Sequence, residues 1–190
     1  MKRRTIVQTS LAAGLMAGMV ALKLGEHEPP PSFGKDMPWR PTAWPFPRDA
    51  WPQGRAWRRG TLEVYVRPKI GFCGNCETGV TTDEEVDRVT DVDLLDERFA
   101  PAREGRAVRI GVLPGRARLY RYERAIGGIR LVEGIAVSQK CDLVIAVIAG
   151  NLSDERERAA AYRLLESSTV QDWISEQLEG RSTAFAGSIR

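Results

Sequence analysis

From residue 61 onward, apolar and polar positions alternate in short runs, the period of a strand with one face against a core. Residues 61–70 place Leu62, Val64 and Val66 on one face, and Pro68, which has no donor for a ladder, predicts an edge strand or an early end. Val108, Ile110 and Val112 form a second strand closed by Pro114-Gly115. Residues 116–124 form a third, separated by a turn at Gly127-Gly128 from a fourth over 129–137. The stretch 141–149 differs, with Leu143, Ile145 and Val147 backed by Val144, Ala146 and Ile148, so it is the central strand, covered on both faces. Short connections predict antiparallel pairing.

Helical periods flank these strands. Thr81-x-x-Glu84 and Thr82-x-x-Glu85 both fit a capping box ahead of a short acidic helix through Val86 and Val89. Ser153, followed by Asp154 and Glu155, predicts the N-cap of a helix continuing through residues 159–165. Ser168-x-x-Gln171 opens a last helix whose Val170, Trp173, Ile174 and Leu178 make one apolar stripe, with Gly180 as its end. The expected fold class is therefore α+β: a single domain over residues 61–190, with a mostly antiparallel sheet of about five strands and two or three flanking helices.

The chain before residue 61 reads differently. Lys2, Arg3 and Arg4 precede a stretch, 11–22, with no charge and no proline, the order of an export signal or membrane anchor. Lys2-Arg3-Arg4-Thr5-Ile6-Val7 resembles the twin-arginine signal pattern, which implies export of an already folded domain. Residues 1–25 are thus a signal peptide or an uncleaved anchor, with 6–22 as a membrane tether in the second case.

Residues 26–60 form a Pro/Trp/Arg-rich arm. Its prolines favour polyproline II and turns over helix or a central strand. Trp39, Trp44, Trp51 and Trp57, interleaved with arginines, either wrap the arm on its own domain or dock it on a partner or membrane interface.

Charge is divided along the chain. Residues 1–60 carry ten basic and four acidic side chains, residues 61–190 eighteen and twenty-one, so the basic character belongs to the leader and arm and argues for no nucleic-acid partner. Within the domain, residues 77–97 hold nine acids against Arg88, and 98–130 hold nine arginines against Glu104 and Glu123. Mutual neutralisation across the fold is the simplest outcome. Arg116, Arg118, Tyr120, Tyr122 and Arg124 nevertheless form a cationic and aromatic strip that would grip an anionic chain, such as an envelope glycan, a lipid headgroup or an acidic protein, if it faced solvent.

Three cysteines carry the remaining distinctive chemistry. Cys73-Gly74-Asn75-Cys76 and Cys141 offer a structural disulfide, either Cys73–Cys76 or one of these to Cys141, or else a redox-active or soft-metal thiol pair. Glu77 after Cys76 excludes c-type haem attachment, no second Cys-x-x-Cys is present for zinc, and the capping signals start too late for a thioredoxin-like helix N-terminus. The single histidine, His27, lies outside the domain, so no Ser-His-Asp or Cys-His arrangement is available within it. No phosphate-cradling glycine motif occurs. No cofactor, metal or catalytic residue is implied. The sequence thus points to an exported, periplasmic or tethered accessory protein that acts by binding an envelope protein, glycan or membrane surface. The alternatives are a small thiol protein working through Cys73 and Cys76 in disulfide exchange or copper carriage, and a carboxylate-based envelope glycan hydrolase.

Overall fold

Strand β8 (Asp142–Gly150) is the centre on which the sheet is built, because Leu143–Ala149 is apolar at every position and buries both faces. The computed structural model describes residues 37–71 and 78–186. All belong to one compact unit, Gly34–Arg190; the leader, Cys73 and Cys76 lie outside the described residues. On one side of β8 lies β7 (Ile129–Gln139), then β6 (Leu113–Glu123), whose outer edge is shared by β5 (Arg106–Ile110) and the two-residue β4 (Ala100–Pro101). On the other side lie β3 (Leu62–Lys69), β2 (Arg55–Arg59) and β1 (Arg40–Thr42). Every pairing is antiparallel. Among the described residues the domain is α+β, with eight strands and four helices.

Strand number and several boundaries differ from the sequence reading, each for an identifiable reason. The arm contributes two strands: Arg55, Trp57 and Arg59 share a face, where Trp57 is buried edge-on against Trp173 (6.3 Å) and the arginines lie over Trp173 and Trp39. Guanidinium stacking on indole thus replaces the apolar alternation that marks an ordinary strand. Strand β3 is interior, not an edge. Its β2 pairing ends at Val66, so Pro68 has β8 as its only neighbour, opposite Val144, and the residue without a donor falls where the β2 ladder has already ended.

The β5–β6 turn falls at Gly111 (φ 59) and Val112, while Pro114 and Gly115 are already paired within β6. A Cβ on Gly115 would lie 2.0 Å from the Ala136 carbonyl oxygen, so this close approach of β6 to β7 needs glycine.

Helices cover both faces of the sheet. Helix α1 (Asp83–Val89) is closed by the Thr82/Glu85 capping box, and the short α2 (Val92–Leu95) follows. Together with the strap of residues 43–54 they cover the face carrying Tyr65, Val132, Ala136, Ile145 and Val147. Helices α3 (Glu155–Leu165) and α4 (Ser168–Ala186) cover the other face, packing Leu164, Leu165, Trp173 and Ile174 on Val64, Val66, Ile135, Ala146 and Ile148. The N-cap of α3 is Asp154, one residue after the expected Ser153, with its carboxylate accepting from the Arg156 N–H at 2.8 Å. Helix α4 runs through Gly180 instead of ending there. None of the described helices is long and apolar enough to cross a membrane.

Candidate functional site

The strap between β1 and β2 folds onto the sheet through an aromatic cluster. Trp44, Phe46 and Tyr65 meet edge to face at 4.9, 6.3 and 5.2 Å between ring centroids. Phe46 and Tyr65 are buried, and this burial anchors the strap. Its return into β2 leaves no room at Gly54, where a Cβ would lie 2.3 Å from the Trp44 ring and 2.4 Å from the Val66 carbonyl oxygen.

Beneath the strap, the period of two along β3 puts Arg67 and Lys69 on the same face as Tyr65. Both are buried, with only 2% of the Arg67 side chain exposed. Asp91, at the α1–α2 junction, turns its carboxylate to this pair instead of capping α2. It accepts from Arg67 Nη2 at 2.8 Å and lies 3.0 Å from Lys69 Nζ, which also donates to the Val89 carbonyl at 2.7 Å. Arg67 Nε and Asp91 Oδ2 are 2.5 Å apart as an ion pair but out of line for a hydrogen bond, so neither atom has such a partner among the described residues.

The remaining guanidinium nitrogen, Arg67 Nη1, points to the strap and meets Asp49 at 2.8–3.0 Å. Burial opposes the charged form of Asp49. The Trp51 N–H, which donates to its Oδ1 at 2.9 Å, and the Arg67 charge outweigh this and hold Asp49 below the ordinary carboxylate range. For Arg67 desolvation is likewise overcome, by Asp91 first and Asp49 second, so its pKa is raised.

Asp49 and Arg67 border a cavity of about 220 Å³. Trp44, Phe46, Pro47 and Trp51 make its walls, and Asp49 and Arg67 its polar side; the exposed Arg48 and Gln53 also line it. Arg67 lies over Trp44 and Lys69 over Trp51, at 5.8 and 5.7 Å. Chemically, this is an aromatic slot with a desolvated, preoriented cation on one side, the composition of a small-molecule site.

Of the four tryptophans picked out in the arm, the structure brings Trp44 and Trp51 to this cavity. Trp39 packs half-buried under Arg59, and Trp57 is part of the core. The Arg/Tyr strip of β6 lies elsewhere, facing α1. Arg116 is paired with Asp83, Arg118 with Asp87, and the Tyr120 hydroxyl donates to Asp87 at 2.6 Å. Asp83 is held below the ordinary carboxylate range, first by the Gly105 N–H and then by Arg116 and Arg118 against the opposing effect of burial. Tyr122 meets Phe99 edge to face and lies under Arg98, and Arg124 is exposed at the hairpin end. Of the acidic and arginine-rich runs, Asp83 and Asp87 of α1 thus pair with Arg116 and Arg118 of β6. Among the described residues no three carboxylates, cysteines or histidines converge as a metal site.

Cys141 is exposed at the β7–β8 turn; Cys73 and Cys76, the other cysteines of the chain, lie outside the described residues.

Sequence reasoning passed over Arg67 and Lys69 and did not connect Asp91 with them. The signal was present: two cations at period two interrupt the apolar strand 62–69, and a lone aspartate sits between Val89 and Val92. Charges at core-facing positions are buried only when paired. No protein-family model matches the chain, and no curated protein is significantly similar to it.

Proposed function

We propose that this is an exported protein of the cell envelope that acts by binding, with the cavity under the 43–54 strap as its ligand site. The observation that carries the reading is a guanidinium 2% exposed, fixed from behind by a buried aspartate and opening onto an aromatic-walled cavity. A stability role alone explains this poorly, because burying an ion pair seldom outperforms packed apolar side chains. Orienting a cation toward a ligand gives it a use.

Export rests on the leader, cationic then apolar. Partners follow from that location: an envelope component, a glycan or a membrane-surface molecule. The test has two arms. Protease treatment of intact spheroplasts from cells expressing the full chain is expected to degrade it, and protection would overturn export. A screen of small soluble compounds by thermal shift is expected to yield binders whose shift disappears in Trp51→Ala. Binders indifferent to this change would remove the cavity from the proposal.

A further inference from the structure

The buried charge cluster beside the cavity does not balance without Asp49. Arg67, Lys69 and Asp91 are buried and set two cations against one anion, and the missing negative charge is supplied from the strap. Asp49 differs from the other three in two respects: 36% of its side chain is exposed, and it is attached to a loop instead of a strand or helix junction. It is therefore the replaceable member, while Arg67 is held in place by Asp91 whether or not Asp49 is present.

Resting on the cavity reading above, we propose that the site takes a small aromatic carboxylate, whose carboxylate displaces Asp49 from Arg67 Nη1 and whose ring lies between Trp44, Phe46 and Trp51. The volume of about 220 Å³ falls below the ~300–1,000 Å³ of drug-sized pockets, which limits the occupant to a single ring. The planar guanidinium selects a carboxylate in preference to a neutral hydroxyl, and Lys69 over the Trp51 face adds positive potential at the same end. Asp49 in this scheme is an internal competitor, the strap's own carboxylate standing where the ligand's would bind.

The test uses benzoate as the anionic probe and benzyl alcohol as its neutral counterpart, titrated calorimetrically into the full chain. Asp49→Asn keeps an acceptor for the Trp51 N–H but removes the competing charge. It is expected to tighten benzoate binding by about tenfold and to change benzyl alcohol binding by less than about twofold. Asp49→Ser, which also retains an acceptor, is expected to act in the same direction and guards against a local effect of one substitution. In the Asp49→Asn background, Trp51→Leu is expected to weaken benzoate binding again. If benzyl alcohol binds, loses affinity in Trp51→Leu, and benzoate gains nothing from either Asp49 variant, the cavity reading stands and the anion inference is overturned. If neither probe binds any of these proteins, both are overturned.

Discussion

Replacing Asp91 by alanine is the most informative single perturbation of this fold. The carboxylate is buried and serves Arg67 and Lys69 at once, at 2.8 and 3.0 Å. Its removal leaves Lys69 with the Val89 carbonyl and Arg67 with the part-exposed Asp49. Truncating one partner of a buried charge pair costs about 3–5 kcal/mol, because the surviving charge stays out of water without compensation. Against a total stability of roughly 5–15 kcal/mol this is severe. At about 2–4 °C per kcal/mol for a domain of this size, it corresponds to a fall in Tm of roughly 6–20 °C. Urea unfolding followed by tryptophan fluorescence and far-ultraviolet circular dichroism gives the difference from the two midpoints at unchanged slope. Removing all three charges, in Arg67→Met/Lys69→Met/Asp91→Leu, is expected to recover most of the loss, since uncompensated charge and not lost attraction is the main cost. A cost below about 1 kcal/mol for Asp91→Ala, or a triple variant less stable than the single one, would refute the account of this cluster.

Trp57→Ala, which removes a buried ring from its contact with Trp173, is expected to cost about 3–5 kcal/mol in the same unfolding assay, against little change if the arm only rests on the surface. Gly115→Ala forces a methyl group against the Ala136 carbonyl and is expected to break the β6–β7 ladder, seen as loss of soluble folded protein. Thr82→Ala removes one half of the α1 capping box at a cost of about 1 kcal/mol, read from the urea midpoint. The pH dependence has a definite sign. Asp83 has its folded pKa below the unfolded value, so its contribution is complete above the ordinary carboxylate pKa and is lost as pH falls through the lowered one. Unfolding midpoints measured downward from neutral pH are therefore expected to decline in acid, and Asp83→Asn to make that decline shallower.

The sheet's middle was readable from the sequence because burial on both faces leaves no polar position from 143 to 149, which could only be central. The hairpin at Gly127-Gly128 was readable for a local reason too, as both residues take positive φ and the Arg124 N–H reaches the Gly128 carbonyl at 3.1 Å. The strands of the arm were hidden by chemistry that alternation does not register. Trp57 among arginines looks polar, yet the Arg55 and Arg59 guanidinium groups lie on indoles, and that stacking is tertiary. The site was only partly readable. Trp44 and Trp51 stand out by composition, but Arg67 and Asp91 become a unit only when the α1–α2 junction lands on β3, a contact spanning 24 residues. The Arg/Tyr strip shares a face as its spacing requires; its pairing with Asp83 and Asp87 depends on where α1 packs.

The five tryptophans provide the most direct test of the cavity as a binding site. Two of them, Trp44 and Trp51, line it, while Trp39, Trp57 and Trp173 lie elsewhere in the fold. Indole Nε1–H resonances of the isotope-labelled full chain, assigned by single replacement and followed during titration with benzoate, report on each ring separately. The account predicts saturable shifts at Trp44 and Trp51 with the other three unmoved. Equal shifts at all five, or shifts confined to Trp39, Trp57 and Trp173, would contradict it.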